Sequence, residues 1–77
     1  MKELLEVIAK GLVEDKGAVA VTVDEPGEDG TVVYHLAVAP EDMGRVIGKQ
    51  GRIAKAIRTV MRAAAVRSGT RILIEID

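Results

Sequence analysis

No cysteine, tryptophan or phenylalanine occurs in this chain, and there is one tyrosine and one histidine. The lack of cysteine excludes disulfides, thiol catalysis and cysteine-based metal sites, and it fits a reducing compartment. With one tyrosine, the chain is not expected to belong to the classes of protein that stack nucleobases on surface aromatic side chains. No apolar run approaches the roughly 18 residues of a membrane-spanning helix. We therefore expect a cytoplasmic protein with no membrane segment.

Charge is divided unevenly along the chain, although the net charge is only −1. The stretch from Met43 to Ile74 contains eight lysines and arginines and no acidic residue. The rest of the chain has three lysines against all 12 acidic residues. A division of this kind favours one surface that attracts a polyanion and another that repels it. It argues against a protein that coats nucleic acid without orientation.

Few residues suit catalysis. His35 stands alone in a strand pattern with no cysteine or conspicuous serine partner, so a structural role is favoured over that of a base or ligand. A nucleotide-binding P-loop needs four residues between its glycines, followed by Lys and Ser or Thr, whereas Gly44 and Gly48 are separated by three and Gln50 follows the lysine. We expect a non-enzyme with no catalytic residue, no metal and no cofactor.

Hydrophobic periodicity and turn residues predict an α+β fold with the order α-β-β-α-α-β, as one domain over residues 1–77. Gly11 either meets a close packing partner inside the first helix or marks an earlier end of that helix, and the sequence leaves both open. Apolar faces are predicted at Leu4, Leu5, Ile8 and Leu12, and at Ile53, Ile57, Val60, Met61 and Ala64. The predicted ranges are helices 2–15, 40–47 and 52–67, and strands 18–23, 31–38 and 71–76.

The motif that carries function is Val-Ile-Gly-Lys-Gln-Gly-Arg-Ile, beginning at Val46. Gly48 and Gly51 allow a tight turn and a close approach of the backbone to a ligand, and the helix that follows directs its unpaired N–H groups to the same place. The spacing alone is weak, because Gly27 and Gly30 repeat it in an acidic segment that reads as a hairpin turn. The flanking apolar residues, the basic helix and the positive charge indicate a phosphate-gripping loop.

Residues around this loop form the predicted nucleic-acid-binding set. Basic side chains farther along the helix, at Arg58 and Arg62, either face RNA or form a solvated surface, and Arg67 and Arg71 fit a solubilising role. Ile47 and Ile53 are core residues, ligand-contact residues or both. The set is Arg45, Ile47, Gly48, Lys49, Gln50, Gly51, Arg52, Ile53 and Lys55.

From Ala39 to Thr59 the chain reads APEDMGRVIGKQGRIAKAIRT. This segment resembles KH domains of the bacterial, type II arrangement, and more narrowly the small stand-alone KH-domain RNA-binding proteins of the KhpA family. The resemblance implies a three-stranded mixed sheet with helices packed on one face, and binding of single-stranded RNA as an RNA chaperone or post-transcriptional regulator. It also implies a groove with an aliphatic floor, to which Ile47 or Ile53 would contribute and which Leu36 and Val38 would border. It also implies a larger KH-containing partner of the KhpB/Jag type (also called EloR) and a role in cell-wall homeostasis and cell-length control.

An alternative from a different class is a protein-interaction or dimerisation module in which RNA contact is secondary. A chain this short has a limited core, and exposed aliphatic residues would favour a homodimer or a hetero-complex. Two joined copies would also align two weak RNA sites. RNA and single-stranded DNA cannot be told apart here, because that distinction rests on contacts with the 2′-hydroxyl.

Overall fold

Three helices cover one face of a three-stranded sheet in the computed structural model, which describes residues 1–76. The predicted order α-β-β-α-α-β is confirmed, with short 3-10 turns at Lys16–Ala18, Pro40–Asp42 and Lys49–Gly51. Within residues 1–76 no helix has the length and apolar character needed to cross a membrane. The elements are α1 (Lys2–Leu12), β1 (Ala20–Val23), β2 (Val32–Ala37), α2 (Met43–Ile47), α3 (Arg52–Arg67) and β3 (Ile72–Ile76).

The sheet is mixed, with β2 in the centre. β1 pairs antiparallel with β2, and the acidic segment between them turns at Asp29, whose carboxylate accepts the Thr31 N–H, and at Gly30, with φ +83°. β2 pairs parallel with β3, which requires a crossover connection. α2, the glycine loop and α3 form that crossover, so the sheet topology itself places the loop at a helix-helix junction.

The core lies between the sheet and the helices α1 and α3, and the buried stripe of α3 has two large residues in the middle with an alanine at each end. The predicted apolar face of α3 was partly wrong, because Val60 is 49% exposed while the alanines at 54 and 65 are buried. The same holds for α1, where Ala9 is buried and Leu4 is at the surface. Alanine permits close approach between helix and sheet, which the apolar periodicity of larger side chains does not reveal. The core cluster is Leu5, Ala9, Val21, Tyr34, Leu36, Ile57, Met61, Ala65, Ile72 and Ile74.

Helix α1 ends at Leu12, three residues before its predicted end. Of the two interpretations of Gly11, the earlier helix end is the correct one, since a Cβ added at Gly11 would meet no atom within 4 Å. The glycine therefore serves no close packing contact. It only leaves the last turn of α1 without the stabilisation that alanine would give.

We expect Gly11→Ala to raise the free energy of unfolding by about 0.5–1 kcal/mol, because alanine restricts the unfolded chain and suits a helix. Urea denaturation followed by circular dichroism measures the change. Gly69→Ala is the matched control, since the space around Gly69 is also open but its φ is +71°, which disfavours alanine. Equal effects of the two substitutions would contradict the argument.

Candidate nucleic-acid-binding site

The glycine loop between α2 and α3 is held in a conformation that ordinary residues avoid. Gly48 has φ 75° and ψ 174°, a region that is essentially restricted to glycine, and Gly51 has φ 74°. Gln50 is left-handed at φ 58°, and it is the one non-glycine residue with positive φ among those that the structure describes. A left-handed residue with a side chain costs roughly 1–2 kcal/mol. Such strain is typical of a segment shaped for a ligand.

Gly48 is required by packing as well as by its backbone angles. A Cβ built at this position would lie 2.3 Å from Cγ1 and 2.8 Å from Cβ of Ile53. Ile53 belongs to the first turn of α3, and its side chain lies against the loop. No side chain fits at position 48 without moving the start of α3.

The backbone hydrogen bonds of the loop leave two donors available. The Gly48 N–H donates to the Gly44 carbonyl at 2.9 Å, and the Gly51 N–H donates to the Gly48 carbonyl at 3.2 Å. Lys49 and Gln50 are the first two residues of the 3-10 turn Lys49–Gly51, so their N–H groups have no acceptor within that turn. Successive free N–H groups beside a left-handed residue form a concave anion site of the kind known as a nest. The loop therefore presents two backbone donors suited to phosphate oxygens.

Three exposed cations surround these donors: Lys49 in the loop, and Arg52 and Lys55 in the first turns of α3. Across residues 1–76 none of the three forms an ion pair with a carboxylate. The positive end of the α3 dipole adds to the same field. Lys49, Arg52 and Lys55 will be called the loop cations.

Arg45 has a different environment from the loop cations. Its guanidinium donates to Glu14 at 2.8 Å and lies 3.3 Å from the Asp42 carboxylate. Arg45 and Ile47 are about 200° apart around α2, so they flank the buried Val46 on opposite sides. The structure therefore brings Ile47 towards one flank of α2 and directs the side chain of Arg45 to the end of α1.

The apolar residues near the loop divide between the core and the surface. Val46 and Ile57 are buried core residues. Ile47 is 38% exposed and Ile53 is half-buried, so both keep apolar surface beside the loop. Leu36, which the sequence suggested as a groove residue, is fully buried and does not reach the surface.

The basic face predicted along α3 is not continuous. Arg58 is half-buried and its Nε donates to the Ile74 carbonyl at 3.4 Å, which commits it to β3. Arg62 instead lies beside Arg71 at the far end of α3, where both line the same hollow. Sequence reasoning separated these two arginines, because their proximity arises only when the chain reverses after α3.

Asp42 was read from the sequence only as an acid at the start of a helix, but it connects two elements. Its side chain is 1% exposed, and its carboxylate accepts the N–H groups of Glu14 at 3.2 Å and Asp15 at 3.0 Å. These hydrogen bonds, led by that of Asp15, hold the pKa of Asp42 below its ordinary 3.8 against the opposing effect of burial. The contact fixes the end of α1 to the start of α2, which leads into the glycine loop.

A small α+β fold, a Gly-x-x-Gly loop between two helices and a mixed sheet define a KH domain of the type II arrangement. A family model described as KhpA/KhpB, KH domain, matches residues 2–76. The chain is 58% identical over 76 residues to RNA-binding protein KhpA of Clostridium acetobutylicum, covering 99% of each chain. With RNA-binding protein KhpA of Aquifex aeolicus it shares 49% identity, covering 99% of this chain and 94% of the relative. The chain belongs to the KhpA family.

Solved structures support the fold. A crystal structure of Era in complex with MgGDPNP and nucleotides of 16S ribosomal RNA matches with a TM-score of 0.66 and 21% identity. The match covers 97% of this chain and 28% of the Era chain, so this chain spans about a quarter of the length of that protein. At this identity the likeness concerns the fold alone.

We expect Asp42→Asn to lower the urea midpoint of unfolding near neutral pH, because the amide cannot accept both backbone N–H groups as a carboxylate does. A lowered pKa means that the carboxylate stabilises the fold fully above its ordinary value of 3.8 and loses this effect as the pH falls through the folded-state value. The difference between wild type and variant should therefore shrink as the pH falls below 3.8.

Circular dichroism in urea at the two pH values measures this difference. Glu41→Gln is the control, since it removes an exposed carboxylate from the same 3-10 turn. A difference between wild type and Asp42→Asn that stays constant with pH would show that the variant acts through packing instead of charge.

Proposed function

We propose that this chain is an RNA-binding protein that grips the backbone of single-stranded RNA with the loop Gly48–Gly51 and the adjoining start of α3. The observation that carries the proposal is the pair of N–H donors at Lys49 and Gln50, which begin the 3-10 turn in a loop whose residues Gly48, Gln50 and Gly51 have positive φ. A phosphate placed there meets two backbone donors, the α3 dipole and the loop cations together.

The predicted residues take separate roles in this proposal. Gly48 and Gly51 shape the loop, and the loop cations neutralise successive phosphates. Gln50 adds a side-chain hydrogen bond, while Ile47 and Ile53 offer apolar surface to bases. Arg45 contributes charge at longer range, since Glu14 and Asp42 hold its guanidinium.

In the cell we propose a cytoplasmic RNA chaperone or post-transcriptional regulator without catalytic activity, formed by one KH domain over residues 1–77. Family membership supports this proposal, and so does the segregation of positive charge around the loop. The same membership supports a partnership with a larger KH-containing protein of the KhpB/Jag type in cell-wall homeostasis and cell-length control.

Reversing the charge of the loop tests the proposal most directly. We expect Lys49→Asp combined with Gln50→Asp to weaken binding of a mixed single-stranded RNA pool by at least about tenfold, because the new carboxylates repel the phosphates. Fluorescence anisotropy at two salt concentrations measures the affinity, and wild-type binding should fall steeply as salt rises. A single-stranded DNA pool of matched sequence tests the dependence on the 2′-hydroxyl.

Lys10→Asp combined with Lys16→Asp is the control for net charge, since both lysines are exposed and lie outside α2, the loop and α3. Circular dichroism confirms that both double variants are folded. If the folded loop variant binds RNA as tightly as wild type, the loop is not the RNA clamp. If wild type binds neither nucleic acid, RNA binding by the isolated chain is refuted.

A second function, self-association, is favoured by an apolar groove between α1 and α3. The groove has a volume of about 280 Å³ and no polar lining atom. Val60 on its rim is 49% exposed. We infer that a second copy of this chain covers the groove, since burial of such a surface is favourable and two copies double the number of RNA loops. Its lining residues are Ile8, Leu12, Ile53, Ala56, Ile57 and Val60.

We expect Val60→Asp to convert a dimer to a monomer, because a carboxylate in an apolar interface loses its hydration without gaining a partner. Light scattering coupled to size-exclusion chromatography measures the mass over a range of concentrations. Val66→Asp is the control, since Val66 is also exposed on α3 but does not line the groove. A wild-type chain that is monomeric at every concentration would refute self-association.

A further inference from the structure

A second basic site lies at the end of α3 opposite to the glycine loop. The hollow there has a volume of about 260 Å³ and opens between the last turns of α3 and the start of β3. Its floor is apolar, with Ala65 and Ile72 buried, and Arg62 and Arg71 stand at its sides. Its lining residues are Arg62, Ala65, Val66, Thr70, Arg71 and Ile72. We call it the arginine hollow.

The reversal of the chain after α3 builds this hollow. The Thr70 N–H donates to the Ala65 carbonyl at 2.9 Å, and the Gly69 N–H donates to the Val66 carbonyl at 3.1 Å. With Gly69 at φ +71°, these bonds form a Schellman motif, which satisfies the last carbonyls of the helix. The chain therefore runs back beside the last turns of α3, and Arg71 lines the same hollow as Arg62.

The charge of the arginine hollow is positive on the side of Arg62. Among residues 1–76 neither Arg62 nor Arg71 has a carboxylate within ion-pair distance. Asp29 lies in a neighbouring hollow that Arg71 also lines. The Thr31 N–H above all, and to a smaller degree the charge of Arg71, lower the pKa of Asp29, so it is ionised near neutral pH. A phosphate is therefore directed to the side away from Asp29.

Nucleobases have few flat surfaces on this protein. The single aromatic residue, Tyr34, is buried in the core. Bases also stack on guanidinium planes. Among the six arginines, Arg45 is held by carboxylates and Arg58 by a carbonyl, whereas Arg62 and Arg71 border an open apolar floor.

We propose that the arginine hollow binds one further nucleotide of the same RNA strand, with its base between the guanidinium groups and the apolar floor and its phosphate beside Arg62. This inference rests on the proposed RNA binding at the loop and extends its footprint. Lys55 and Arg62 are seven residues apart, about two turns of α3, so they share one face and mark a path from loop to hollow.

The distance between the two sites sets the length of RNA required. Arg52 and Arg62 are ten residues apart, which corresponds to about 15 Å along the helix. A strand that rises about 3.4 Å per nucleotide covers this distance in roughly four to five nucleotides. The loop of a KH domain holds about four nucleotides. Only an RNA longer than that reaches the arginine hollow from the loop.

The test compares a short RNA of about four nucleotides with a longer one of about ten nucleotides. We expect Arg62→Gln combined with Arg71→Gln to weaken binding of the longer RNA roughly tenfold and to leave binding of the short RNA unchanged. The slope of log affinity against log salt for the longer RNA should also fall by about 0.7, the value of one phosphate contact. Anisotropy titrations give both quantities.

Arg67→Gln is the matched control, since Arg67 lies on the same helix but about 140° away from Arg62 and does not line the hollow. Val66→Asp provides an independent variant that leaves both arginines in place, because this 77% exposed side chain lines the hollow and a carboxylate there repels phosphate. It should reproduce the selective loss for the longer RNA.

The outcomes separate this inference from the proposed function. If the longer RNA binds the Arg62/Arg71 variant as it binds wild type, or if Arg67→Gln has the same effect, the arginine hollow is not a nucleotide site. Loss of both RNAs in the Arg62/Arg71 variant would also overturn it, because the arginines would then act on the loop. If wild type binds neither RNA, the proposed function fails and this inference fails with it.

Discussion

The contact between Ile53 and the backbone of Gly48 is the constraint on which the site depends. Ile53 lies in the first turn of α3, and Ile57 and Met61 anchor the rest of that helix in the core. The loop therefore cannot change shape without displacing a helix that is packed against the sheet. A loop fixed in this way is already ordered when the protein has folded. Binding of RNA therefore does not have to offset the conformational entropy lost by ordering it.

Acidic and basic residues lie on different parts of the molecule, and this separation orients an approaching polyanion. The acidic residues are concentrated in α1, in the segment that follows it and in the β1–β2 turn. The loop cations and the arginine hollow lie in the glycine loop, on α3 and at the start of β3. Asp42 and Arg45 lie between the acidic and the basic parts of the molecule. Their charged groups form the contacts that join the end of α1 to α2. A polyanion approaching from most directions is thus turned towards α3, although the net charge is near zero.

Sequence reasoning succeeded where the determining residues are close together in the chain. The glycine loop, the strands and the order of elements depend on local periodicity and turn chemistry, and the structure confirms that order and fold. It failed where the structure depends on contacts between residues that are far apart in the chain. The segment after α1 is held by the bonds from Glu14 and Asp15 to Asp42, and the proximity of Arg62 to Arg71 is set by the Schellman turn. Neither has a periodic signature, although the predicted end of the third helix at residue 67 is correct.

The scarcity of aromatic residues determines how such a protein can bind RNA at all. Base stacking on aromatic side chains contributes roughly 1–3 kcal/mol per base, and this chain has no exposed aromatic to supply it. Three loop cations support a salt slope of about 2, which corresponds to modest, salt-sensitive affinity. Higher affinity then requires either more contacts on one strand or more copies of the loop. We propose the arginine hollow for the first and the α1–α3 groove for the second, and both are lined by residues of α3, the helix that begins at the loop.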